Sequence, residues 1–177
     1  GRDSGRRHSL APGLYRQATD AIREAVGDDL IVQATSEAAG IYQAPAQLAA
    51  MQALAPEAVS MGLREFVPDE ADGQAVDAFA AFLAFAETRK MLVQHILYDE
   101  TDVARFIRLR ASGRIPAGRA HALFVLGRYS RDQQSAPADL DPFLAAMREA
   151  TDQADWLWAV CAFGAQEAAC AARALEL

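Results

Sequence analysis

Cysteine is nearly absent: the 177 residues hold two, Cys161 and Cys170. That excludes a disulfide framework, and because both sit in apolar surroundings they are expected to be buried, reduced thiols of a cytoplasmic protein. Histidine is almost as scarce. His8, His95 and His121 are scattered, no H-x-H or H-E-x-x-H spacing occurs, and no metal ligand is assigned within the chain. Positive charge is outnumbered, with 17 Lys and Arg against 24 Asp and Glu and a net charge of -7. A surface of that sign argues against nucleic acid or an anionic membrane as partner. Only Arg2, Arg6, Arg7 and His8 run against it, a cluster read as a solvated basic terminus. No apolar run reaches the length of a spanning helix, and the opening GRDSGRRHSL has no signal-peptide hydrophobic region, so neither insertion nor secretion is expected. Also missing are G-x-G-x-x-G, a P-loop and G-x-S-x-G, which removes the usual phosphate cradles and the serine-hydrolase elbow.

What is present is apolar: 52% of residues, enough for the core of one domain spanning 1–177. Five short apolar runs begin at Leu30, Glu57, Met91, Ala120 and Trp156, that is 27, 34, 29 and 36 residues apart. Between them lie helical patterns. Leu48, Met51 and Leu54 share one face; Val76, Phe79 and Leu83 another, widened by Phe82 and Phe85; Val103, Phe106 and Ile107 sit beside Arg105 and Arg108, which are expected to be exposed. Phe143, Leu144 and Met147 follow a candidate N-cap at Asp139, and a leading helix over 13–26 would turn Leu14, Ala18, Ile22 and Ala25 inward. Nearly continuous apolar strands joined by helical crossovers imply a parallel α/β sheet covered on both faces. With no phosphate loop to support a doubly wound sheet, a (β/α)8 barrel of the TIM type is the better fit. An eight-unit barrel needs about 250 residues, so the five units are expected to be an incomplete barrel, a piece of something longer.

In such a barrel the loops after the strands build the site. That singles out Thr35, Ser36 and Glu37; Ser60, Arg64 and Glu65; Gln94, His95, Tyr98 and Asp99; Arg128 and Tyr129; and Gln166 with Glu167. Ser60 would mark a strand end, and Arg64 and Glu65 the loop over the barrel mouth. Each has a plainer alternative. Ser36 either hydrogen-bonds its own loop or meets a ligand, Arg64 and Glu65 either line the site or form rim ion pairs, and Arg128 either meets a ligand or fixes its loop. His95 reads as a satisfied core histidine ahead of a metal ligand. Gln94 and His95 point to opposite faces, and Gln94 is assigned to the lumen, with Tyr98 above it.

The stretches QATSEAAGIY, PEAVSMGLRE, QHILYD, LFVLGRY and WAVCAFGAQE, in that order and spacing, resemble the β-keto acid cleavage enzymes, which include the 3-keto-5-aminohexanoate cleavage enzyme. The resemblance runs along essentially the whole chain. It implies a zinc-dependent (β/α)8 barrel, of which strands three to seven are represented, and an acyltransferase exchanging a β-keto acid with acetyl-CoA to give acetoacetate and an acyl-CoA. The partners implied are the β-keto acid and the CoA thioester, in a homo-oligomer, commonly a tetramer. The family's zinc ligands are an H-x-H pair ahead of an RD dipeptide, which Arg2 and Asp3 resemble, and a later glutamate. By this alignment the Zn2+ ligands, carboxylate-binding arginine and catalytic acid fall outside the chain, leaving no catalytic residue within it. Ser36 and Ser60 match hydroxyl positions that contact the substrate or thioester, with Thr35 beside them. Gln94 and Ile96 stand where the aminohexanoate enzyme has glutamates, which implies an uncharged or hydroxylated substrate side chain. Arg64 and Glu65 depart from the more usual GSMNF. The alternative, from another class, is a non-catalytic α/β module that binds a ligand or partner.

Overall fold

The computed structural model describes residues 3, 5 and 7–177. Arg2 and Arg6 of the basic cluster lie outside the described residues; Arg7 pairs with Asp3 at 2.8 Å. The elements are α1 (Pro12–Val26), β1 (Gln33–Thr35), α2 (Ala44–Leu54), β2 (Ala58–Gly62), α3 (Leu63–Phe66), α4 (Gly73–Thr88), β3 (Leu92–Leu97), α5 (Glu100–Ala111), β4 (Ala120–Leu126), α6 (Asp141–Met147), β5 (Trp156–Ala162) and α7 (Glu167–Leu175), with short 3-10 turns before α6 and β5. The strands follow the order β1-β2-β3-β4-β5 in one sheet. Each apolar run therefore contributes a strand. The chain divides into two compact units, Gly1–Gln94 and His95–Leu177.

In the first unit β1 and β2 are parallel, with Gln33 opposite Ala58 and Thr35 opposite Ser60. The start of β3 joins the ladder where the Leu92 N–H donates to the Glu57 carbonyl at 2.9 Å. The apolar run expected from Leu30 is shorter as a strand. Leu30 and Ile31 are exposed, because Arg23 of α1 takes the Leu30 carbonyl at 2.6 Å and ladder pairing starts only at Gln33. The core gathers Met51, Val59, Met61, Phe66, Phe79 and Phe82, all buried. Phe66 and Phe79 stack at 5.4 Å. Each such side chain contributes about 1.5–3 kcal/mol by leaving water. Helix α4 starts at Asp72, whose carboxylate accepts the Gln74 and Ala75 N–H groups at 3.1 Å, the usual satisfaction of a helix's first donors.

Helix α1 buries a different stripe from the expected one: Tyr15 is buried while Ile22 is 45% exposed. The helix is rolled by one residue because the Tyr15 hydroxyl donates to the Thr35 carbonyl at 2.7 Å. That bond brings the polar end of the ring to the strand and leaves its apolar body inside.

In the second unit β4 and β5 pair in parallel from Ala120 opposite Trp156 to Leu126 opposite Ala162. Phe106 packs edge-on against Trp156 at 4.9 Å, and Phe124 meets Phe143 at 5.2 Å and Trp158 at 5.6 Å. Asp99 caps α5 through the Asp102 N–H at 2.9 Å. Asp102 is buried and accepts both the Tyr98 N–H and an Arg105 donor. Arg105 is thus drawn down to this carboxylate and its side chain is only 15% accessible, where sequence spacing placed it in solvent. Asp139, expected to cap α6, instead accepts the Ala136 N–H at 2.9 Å and closes the 3-10 turn before that helix. Cys170 is buried and Cys161 exposed. Cys161 differs from its expected burial because β5 is the last strand in the order and, after Trp156, alternates exposed with half-buried residues. Among the described residues no helix is long and apolar enough to cross a membrane.

Candidate functional site

Alternation along the strands of the first unit puts Gln33 and Thr35 of β1 on the same face as Ala58 and Ser60 of β2, since paired residues of parallel strands share a face. Gln94 of β3 belongs to that face too, for Gln33 Nε2 donates to Gln94 Oε1 at 3.1 Å. Thr35, Ser60 and Gln94 are half-buried, so a polar strip opens from an otherwise apolar sheet. Thr35 Oγ1 accepts the Glu37 N–H at 3.2 Å, which leaves its proton to donate. Ser60 lies in the middle of β2, two residues short of the strand end expected for it. Two neighbouring hydroxyls and a primary amide, without a formal charge, suit the oxygens of a carbonyl or carboxylate better than an ammonium group.

Ser36 belongs to the other side. It is fully buried, and its hydroxyl donates to the Ser60 carbonyl at 2.9 Å, so it bonds the neighbouring strand. Arg64 and Glu65 sit in the single helical turn α3 directly after β2 and not in an open loop. The Glu65 carboxylate accepts from Gln47 Nε2 at 2.6 Å and from the Ala38 N–H at 3.2 Å. Gln47 also donates to the Ser36 carbonyl at 2.7 Å. Sequence reasoning missed Gln47 and Tyr15. The available signal for Gln47 was its place four residues before Met51, on the apolar stripe of α2.

In the second unit Tyr98 packs edge-on against Tyr129 at 5.0 Å. Both line an open cleft of about 340 Å³ with Asp99, Glu100, Arg128 and Asp139. The Arg128 guanidinium lies 5.8 Å from the Tyr129 ring centre and 5.7 Å from that of Phe163. Gln166 directly precedes α7 and Glu167 is its first residue. His95 is buried against Phe106 of α5 at 4.8 Å, so it faces the helix side. Burial first, then the charge of Arg110 and His121, pushes its pKa from 6.5 to about 3 and keeps the imidazole neutral.

Among the described residues no three His, Cys, Asp or Glu side chains are grouped so as to hold a metal ion. The described residues therefore do not fit a zinc centre. A search of curated proteins returns no match. The family model for beta-keto acid cleavage enzymes matches residues 1–177. Because that match covers residues 1–177, the chain belongs to the beta-keto acid cleavage enzyme family.

Proposed function

We propose that the chain takes part in acyl exchange between a β-keto acid and acetyl-CoA, with the Thr35–Ser60–Gln94 face receiving the keto acid. The observation that carries this reading is the family match over residues 1–177. In the exchange the bond between the keto carbon and the carboxymethyl carbon breaks. The carboxymethyl group bonds to the acetyl carbonyl carbon, giving acetoacetate, and the CoA thiolate goes to the remaining acyl group. The reading assigns the Thr35 and Ser60 hydroxyls to donate to the substrate's keto or carboxylate oxygen, where charge builds as the carbon–carbon bond changes. Gln94 is assigned to the substrate's side chain and supports an uncharged or hydroxylated one. In the same proposal the parallel strands are staves of a (β/α)8 barrel, and the enzyme works in the cytoplasm as a homo-oligomer.

Binding tests the assignment directly. Titrating the labelled chain with acetoacetate is expected to shift the amide resonances of Thr35, Ser60 and Gln94. Ser60→Ala and Thr35→Val each weaken the affinity about ten-fold, the order of one lost hydrogen bond. Shifts confined to other residues, or none, sink the assignment.

A further inference from the structure

The turn that follows β1 is gripped from three sides, by side chains that the substrate reading does not use. Gln47 is 1% exposed on α2, and a buried primary amide must find partners. Both Nε2 protons are spent, on the Ser36 carbonyl at 2.7 Å and on Glu65 Oε2 at 2.6 Å. Since both partners are acceptors, the amide has only one satisfied orientation. The same Glu65 oxygen accepts the Ala38 N–H at 3.2 Å, so it faces two donors of the chain itself. Ser36 completes the grip, sending its N–H and its hydroxyl to the Ser60 carbonyl at 3.2 and 2.9 Å. Carbonyl 36, hydroxyl 36 and amide 38 are thereby fixed by α2, β2 and α3, and Thr35 is the next residue upstream.

From this arrangement we infer that Gln47 and Glu65 are a positioning pair, which sets the direction of the Thr35 hydroxyl by holding the turn at residues 36–38. Its link to substrate rests on the reading of the Thr35–Ser60 face as the keto-acid site. Glu65 works by geometry and not as a charged contact to a ligand, because its inward oxygen is occupied by Gln47 and Ala38. A glutamine at 65 presents an amide oxygen to the same two donors, whereas leucine presents none.

The test compares Glu65→Gln, Glu65→Leu and Gln47→Met with the unaltered chain. Two quantities are followed: hydrogen exchange at the Ala38 amide, measured without ligand, and the Kd for acetoacetate. Glu65→Gln is expected to stay within about two-fold in both, while Glu65→Leu and Gln47→Met speed Ala38 exchange and weaken acetoacetate binding about ten-fold. If Glu65→Gln is as damaging as Glu65→Leu, charge is what matters and the inference fails. It fails equally if Ala38 exchange ignores all three changes. Should acetoacetate bind no variant, the unaltered chain included, the substrate reading falls, and exchange at Ala38 still decides the pair.

Discussion

Gln94 has its carbonyl oxygen engaged by Gln33, which aims the amide nitrogen's protons away from that partner. On the proposed assignment of Gln94 to the substrate's side chain, such a group favours an acceptor there, and a carboxylate in its place would favour ammonium. Gln94→Glu is therefore expected to raise the affinity for amino-substituted β-keto acids about ten-fold over their hydroxyl analogues, as measured by calorimetry with matched pairs. His95 gives a second residue-scale prediction. Its folded pKa of about 3 lies below 6.5, so between those values the unfolded chain binds a proton that the native chain refuses. Stability is then complete above about pH 6.5 and falls as pH drops, by up to about 1.4 kcal/mol per pH unit. Urea unfolding across pH 3–7 should show this slope reduced in His95→Leu. At this scale the burial of His95 was legible from its apolar neighbours. Gln47 was legible only in its place on the apolar stripe of α2, because the partners that satisfy its amide come from other segments of the chain.

Among the elements, the turns after β4 and before α7 depend on two glycines. Gly127 has φ +78°, and a Cβ there would sit 2.8 Å from the Gln134 carbonyl oxygen. Gly164 has φ +94°, and a Cβ there would collide with the Gln134 side chain, whose carbonyl oxygen accepts the Ala165 N–H at 3.2 Å. Gly127→Ala is expected to cost about 1–3 kcal/mol in thermal or denaturant unfolding. Arg110 performs a related task between helix and loop. Nearly buried on α5, it donates to the Pro116 and Gly118 carbonyls at 2.9 and 2.8 Å and pairs with Asp152. Burial raises the Asp152 pKa, but the hydrogen bonds from Arg110 and Trp156 outweigh it and hold the carboxyl below its usual range. Arg110→Ala strands these acceptors and should lower stability by roughly 2–4 kcal/mol, less than for a fully buried pair because Asp152 reaches solvent. Periodicity located α1, α2, α4, α5 and α6, since stripes such as those of α4 and α5 are long and regular, but it assigned no pattern to the single turn α3 or to α7. It misjudged the roll of α1, where one tyrosine hydroxyl reaching a carbonyl 20 residues away outweighs the mean apolar face.

For the molecule as a whole, the spacing of five apolar runs was enough to read a parallel α/β sheet, because strands covered on both faces must be apolar throughout. The motifs then carried the family, which the match over residues 1–177 establishes. Less of the site was legible: Ser36 and Glu65 were singled out for their polarity, yet both are turned toward other parts of the chain by bonds that no spacing rule encodes. Purified chain is expected to carry less than about 0.1 equivalent of zinc by elemental analysis, since a stable site needs three or four convergent ligands. One equivalent bound would overturn that expectation.

The contrast between the two thiols has a practical use. With Cys161 exposed and Cys170 enclosed, a maleimide dye should attach once to the native protein and twice after denaturation. A fluorophore placed on β5 in this way would report events in the second unit without an engineered handle.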